Sequence, residues 1–506
     1  MKPRTFAILL TVIAVVRIAY TYTVFSWTAD EPAHIAAGME VLVQHRYTLH
    51  IENTPLPRVV LALVPWLSGS DFRTDGTVVE RGNSVLYSGH HYLTNLVRTR
   101  IGNLLFFVLA AEFTWLWARD ALGDRAAIAA LFLFTTQPVI LGFSGLATTD
   151  IAAVAGVAAA LYAWWRWLEA PSLKNAIAAG VAYGFALNCK QSALIFVPVA
   201  AFAMWLIRPS LRTLRHVPLM CVIAAFLIWA GYGFAVGPMT SVEPVPAFVP
   251  AFFANVPLFA PRFFRGIVKL MEVDRNGFPA YLFGRSSMHG WWWYFPAALL
   301  LKSTLASLIA VFVALGARLR AAAAPAAAAL AILLFVMTTH VDVGVRYALP
   351  IYVPLSLAGG AALAFLWTRR RVFAFVLVAW QILTGLAHPD YFPYFNELAG
   401  RHPDRYLLDS NLDWGQDLLR LERELKHRNV QELGLEYFGP ADLSRHRLPH
   451  WTKLDPNRPT KGWVAISELW YHGVWYDGYH ENRYPWLVHE KPVAYVGKSI
   501  RLYYIH

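Results

Sequence analysis

Apolar stretches, each long enough to cross a hydrocarbon layer, recur through the first three quarters of the chain and are separated mostly by short charged connectors. A span needs roughly 20 residues without charge, and in lipid its backbone can be satisfied only as a helix. This restricts the first part of the chain to a bundle of helices. Eleven spans are expected, near 5–26, 98–118, 126–143, 149–168, 174–188, 191–207, 216–237, 294–316, 322–340, 346–367 and 372–388. Composition agrees, with 57% apolar and only 15% charged residues, too few charges for an ordinary soluble protein. The opening Met1-Lys2-Pro3-Arg4 resembles a signal peptide, but the apolar run is long and no small-residue cleavage site precedes Trp27, so a retained first span is expected.

The net charge of +12 does not point to nucleic acid, because the excess sits in small Lys/Arg groups between spans. With Lys2 and Arg4 cytoplasmic, the same side receives Arg119 and Arg125, Arg166 and Lys174, Arg208 with Arg212 and Arg215, Arg318 with Arg320, and Arg369 to Arg371. Every short connector then obeys the positive-inside rule. The opposite face receives long loops at 27–97 and 238–293, the turns around Lys190 and Asp342, and everything after 388. Two domains are expected: a membrane part over 1–388 and a small soluble α/β domain over 389–506. Within the first loop, helices are expected near 32–45, opened by Pro32, and 56–67, an interfacial helix carrying Arg58 off its apolar stripe. In the tail, 406–408, 432–438, 463–467, 492–496 and 500–505 read as strands and 415–428 as a helix.

Chemistry-bearing residues gather on that opposite face. Asp30 and Glu31 follow directly after the first span, where an acid can stay ionised and still meet a lipid-linked substrate; adjacent acids in a partly dry site suit a general base. The plainer alternative is that both merely serve free N–H groups at a helix start. Asp150 opens the fourth span at the same level, with the same alternative. Lys190, Arg346 and Arg58 could each hold a phosphate or contact a lipid headgroup. The run His289 to Tyr294 reads first as an aromatic belt. Cys189 and Cys221 show no ligand spacing, and the seventeen histidines show no zinc pattern with an acidic partner, so no metal is expected. No glycine-rich phosphate loop suggests a nucleotide cofactor, and none is expected.

At these residues the chain resembles GT-C fold glycosyltransferases, in particular the family 39 group that includes protein O-mannosyltransferases and lipid A aminoarabinose transferases. The stretches that carry the resemblance are Trp27 to His34, Glu52 to Arg58, Gly290 to Lys302, Arg346 to Pro350, Tyr394 to Gly400 and, most specifically, Asp409 to Leu418. It implies Asp30 as catalytic base, supported by Glu31, with Asp150 as a second acid. Arg58, Lys190 and Arg346 are then expected on the donor phosphate, and His34, Glu52, His289 and Tyr347 near substrate. The implied reaction is an inverting transfer from a polyprenyl-phosphate sugar to a protein, lipid or glycan acceptor on the external, periplasmic face of a bacterial inner membrane. Asn53, Thr54 and Arg58 stand where that group usually has His, Pro and Lys, and Arg is not equivalent to Lys at a phosphate. Asp413 and Asp417 are expected only to order a helix start. A transporter or lipid flippase would instead place charges at mid-bilayer and show inverted repeats; a non-catalytic glycolipid-binding scaffold is the other alternative.

Overall fold

The structure is a computed structural model that describes residues 2–207, 209, 211–474 and 483–506, with backbone alone at 211–213. Arg208 and the side chain of Arg212, expected among the basic connectors, lie outside the described residues.

Helix α1 (Pro3–Thr21) leads into an extended segment and then α2 (Glu31–Gln44) and α3 (Pro55–Leu67), both close to expectation and both carrying proline in the first turn, where its missing N–H costs nothing. These two cross tightly because Gly38 leaves no room for a side chain: a Cβ there would sit 2.1 Å from the Arg58 carbonyl oxygen. Two helices of the first loop were not anticipated, α4 (Val78–Leu86) and α5 (Tyr92–Arg100). A capping box starts α4: Glu80 accepts from the Thr77 backbone and Thr77 from the Glu80 N–H, a signal present in the sequence.

Helices α6 (Asn103–Leu122), α7 (Asp124–Thr135), α8 (Pro138–Ser144), α9 (Asp150–Glu169), α10 (Leu173–Cys189), α11 (Ala193–Ile207) and α12 (Val217–Gly231) follow. The expected single span over 126–143 is broken into α7 and α8 with a 60° bend. Pro138 is the cause: it drives Gln137 to an extended conformation (ψ 115°), which ends α7. The second long loop holds a two-residue strand pair, β1 (Val236–Gly237) with β2 (Leu258–Phe259), the short α13 (Ala251–Asn255), the amphipathic α14 (Pro261–Asn276) and a hairpin of β3 (Ala280–Leu282) and β4 (Arg285–Ser287).

The expected span over 294–316 is likewise two helices, α15 (Tyr294–Lys302) and α16 (Leu305–Gly316), bent by 115°. Ser303 is extended, and Thr304 caps α16 by accepting from the Ser307 N–H. After α17 (Ala323–Val336), a 3-10 turn over Val345–Ile351 runs into α18 (Tyr352–Arg369), and α19 (Arg371–Leu383) closes the bundle. Among the described residues five helices are long and apolar enough to cross a membrane, or seven when each bent pair counts once, with four shorter apolar helices besides. Asp150 and Arg166 stand at opposite ends of α9, as Arg346 and Arg369 do on the Val345–Arg369 run.

The tail forms a five-stranded mixed sheet of β5 (Glu432–Glu436), β6 (His450–Lys453), β7 (Gly462–Ser467), β8 (Ala494–Val496) and β9 (Ile500–Ile505), in the order β6-β5-β7-β9-β8. Helix α20 (Leu418–His427) packs Leu418, Leu421 and Leu425 on it, and a one-turn helix α21 (Glu468–Tyr471) follows β7. Strand β6 was not anticipated, and the expected strand over 406–408 is a single bridge from Leu407 to Leu282, where β3 ends in the turn at Phe283 and Gly284. Nor does the apolar core break at 389: Tyr391, Phe392, Leu407 and Trp414 are buried in the main helical core.

Candidate active site

Asp30 stands at the N-cap of α2 and Asp150 begins α9, yet neither helix receives a capping hydrogen bond from a side chain at its N-cap. Both carboxylates reach across the chain instead. Asp30 Oδ2 pairs with Arg346 Nη1, and Asp150 Oδ1 accepts from Lys190 Nζ at 2.6 Å. The ring of Tyr347 lies between the two cations, 5.0 Å from the Arg346 guanidinium carbon and 5.4 Å from Lys190 Nζ. Helix-capping alone therefore does not account for these acids.

Within this group exposure differs sharply. The Asp30 side chain is 38% exposed and that of Asp150 2%. Asp30 is thus the acid that an incoming molecule can touch. Its partner Arg346 also lies 4.6 Å over the Trp414 ring and keeps a buried Nε without a hydrogen-bond partner.

Glu31 has a different role from its neighbour. Its carboxylate is fully buried, gripped by Arg100 Nε and Nη2 at 2.8 Å each, and accepts further from the N–H and hydroxyl of Thr28 and from the Ala147 N–H. Arg100 spends its remaining donors on the carbonyls of Tyr22, Phe25 and Ser26. Glu31, expected among the catalytic acids in support of Asp30, has both oxygens engaged by protein donors, and the Glu31–Arg100 pair shapes the segment that presents Asp30. Arg100 was missed in the sequence, although a charge at the edge of an apolar run marks an internal partner.

Arg58 is also not at the surface. It is buried, donating to the carbonyls of Leu49 and His50, to the Tyr47 hydroxyl and, at 3.2 Å, to His34 Nδ1; only Nη2 has no partner. The interfacial position expected of it is corrected, because α3 turns this side chain inward onto α2. His34 is thereby buried, and burial, reinforced by the Arg58 charge, holds its imidazole well below the usual range, so it is neutral at pH 7. Glu52 pairs with His50 at 2.8 Å and with Lys269 of α14 at 3.5 Å. Burial works to raise its carboxyl, but these partners hold it down at about 2. Its neighbour Asn53 accepts from Thr149 Oγ1, one residue from Asp150. His289 is brought not to this cluster but to His340, with ring centroids 6.0 Å apart.

The floor of the site comes from the tail. Trp414 stacks on Phe392 at 5.8 Å, and its carbonyl accepts from the Ala29 N–H, next to Asp30. Asn411 accepts from the Val345 N–H, next to Arg346, and Lys302 Nζ binds the carbonyls of Asn411 and Phe392. Asp413 and Asp417 are buried and hold backbone N–H groups of Leu469 and Lys498. So the Asp409–Leu418 stretch does more than start α20. Helix α14 covers the 47–53 segment at Gly266, where a Cβ would meet the Ile51 carbonyl oxygen at 2.3 Å. Its Arg265, buried with Nε and Nη1 unpartnered, is a second cation that the sequence did not single out. Beside it lies an apolar groove of about 410 Å³ lined by Met239, Phe248, Phe253, Leu258, Phe264 and Met271.

One cluster has the composition of a metal site: ligand atoms of Asp404, Glu468 and His472 all lie within 4.8 Å of one another. Arg501 already engages both carboxylates, at 2.9 and 2.8 Å, and supplies the compensating charge.

The family model of dolichyl-phosphate-mannose-protein mannosyltransferase matches residues 93–232. ArnT from Cupriavidus metallidurans bound to undecaprenyl phosphate superposes with a TM-score of 0.52 at 13% identity, covering 98% of this chain and 97% of that one. Its apo form gives 0.53 at 13% identity, covering 99% and 98%. No curated protein sequence matches the chain. The chain has the GT-C membrane fold over essentially its whole length.

Proposed function

We propose that this chain is a membrane glycosyltransferase that moves a sugar from a polyprenyl-phosphate carrier to an acceptor hydroxyl or amine at the external, periplasmic membrane face, with inversion at the anomeric carbon. The observation that carries the reading is the convergence of Asp30, Arg346, Tyr347, Lys190 and Asp150, drawn from four separate segments, into one constellation of acids and phosphate-sized cations. The fold shared with an ArnT bound to undecaprenyl phosphate and the match to a mannosyltransferase family support the donor class.

In this reading the acceptor O–H or N–H attacks the anomeric carbon while the Asp30 carboxylate takes its proton. The bond from that carbon to the carrier phosphate oxygen breaks, and the phosphate departs with the bonding pair on the opposite sugar face. Arg346 and Lys190, with the free nitrogen of Arg58, neutralise the charge that grows on the leaving phosphate. Asp150 sets the position of Lys190, and Tyr347 spaces the two cations. The apolar groove beside α14 accepts hydrocarbon of the carrier. Phosphate is already a competent leaving group, so positioning and electrostatics supply most of the rate. No soluble cofactor enters the scheme.

Purified protein incubated with radiolabelled undecaprenyl-phosphate sugars and an envelope extract tests it. Label transfer, or slow hydrolysis without acceptor, is the expected result; a labelled carrier retained unchanged would favour the scaffold alternative.

A further inference from the structure

The two cations nearest the exposed acid are not standing free for a ligand. Arg346 is engaged by Asp30 and Lys190 by Asp150, so the acid needed as base and the cations needed for phosphate neutralise one another. With Oδ2 on the guanidinium, this oxygen of Asp30 is occupied by Arg346 and not open to an acceptor proton. Asp30 holds Nη1 of Arg346 and the unpartnered Nε is buried, so an anion arriving from the exposed side competes with Asp30 for Nη1. Arg346 itself is fixed between the rings of Tyr347 and Trp414, 5.0 and 4.6 Å away, so partner exchange moves the acid rather than the cation. The more exposed member of the pair is Asp30, which is the one able to swing.

Resting on the donor class proposed above, we infer that the site is gated by its own ion pairs: a phosphate-bearing carrier competes with Asp30 for Arg346 and with Asp150 for Lys190, and by displacing Asp30 releases the base that the acceptor requires. Donor binding thereby precedes base activation. Asp30 is released only when the leaving group is in place, which keeps an unpaired base from the site until a donor is bound. A ligand shifts such an equilibrium only by its differential affinity for the two arrangements, and here the carrier phosphate provides it.

The consequence is opposite to that expected of a residue that helps hold the donor. Removing the charge of Asp30 abolishes turnover yet strengthens donor binding. The test measures binding of undecaprenyl phosphate and, separately, of undecaprenol to the full-length protein in nanodiscs by native mass spectrometry. Asp30→Asn is expected to bind undecaprenyl phosphate roughly fivefold more tightly than wild type, the scale of a partly exposed ion pair, with undecaprenol unchanged. Asp150→Asn is expected to shift the same way and serves as the readout should Asp30→Asn not purify as a folded protein, while Arg346→Gln weakens binding. Equal or weaker binding by both Asn variants, with Arg346→Gln still impaired, overturns the gate and leaves the donor class standing. A gain for undecaprenol as large as for its phosphate also overturns it. Wild type that binds the phosphate no better than the alcohol removes the donor class and the gate together.

Discussion

Arg100 grips both carboxylate oxygens of Glu31, at 2.8 Å each, inside a fully buried pocket. The adjacent acid, Asp30, is thereby left pointing away, into contact with a residue 316 positions further along. Two neighbouring acids are sorted into an internal staple and an accessible base by what their backbone lets them reach.

The staple is expected to be indispensable for folding. Glu31→Gln or Arg100→Gln leaves its partner buried and unpaired, a loss of about 3–5 kcal/mol. Thermal unfolding of the purified variants should drop markedly; an unfolding temperature within a few degrees of wild type would show that the staple does not hold the segment.

Asp30→Asn is expected to preserve folding and reduce transfer by about 10²–10⁴-fold or more, the scale of a lost general base. Initial rates of labelled-sugar transfer, compared at equal monodisperse protein, check this. Near-normal turnover would remove Asp30 from the reaction.

Trp414→Phe should keep the stack on Phe392 while offering Arg346 a weaker aromatic face. Transfer is expected to fall several-fold at nearly unchanged unfolding temperature, with KM for the carrier more affected than kcat. Trp414→Ala, which opens a cavity, should instead destabilise by about 3–5 kcal/mol.

Asp342 couples stability to pH. Burial pushes its carboxyl up to about 7, against the Trp291 N–H that donates to it. The folded protein then binds a proton that the unfolded chain, with a value near 3.8, has lost. Stability from this group is therefore full below about pH 4, declines as pH rises to about 7, and is flat above. Unfolding temperatures measured from pH 4 to 8 should show that slope, and Asp342→Asn should flatten it.

Much of the helical part was legible because lipid imposes a single rule on composition: an apolar run of sufficient length must be a helix. The same reading passed over the bends at Gln137 and Ser303, where one proline and one threonine cap redirect helices without altering their hydropathy. It also passed over α14, whose mixed polarity hides it from any count of apolar residues, and it set apart a tail whose first part is buried in the helical core.

Sequence alone determined that acids and cations accumulate at the ends of the apolar runs, since charge is excluded from hydrocarbon and must lie where the helices emerge. Which acid meets which cation was settled by packing. The Asp30–Arg346 and Asp150–Lys190 pairs, the inward turn of Arg58 and the burial of Glu31 on Arg100 all join residues distant in the chain. Such contacts depend on how helices cross and where the tail is threaded, and no local pattern of residues encodes a distance between two helix ends.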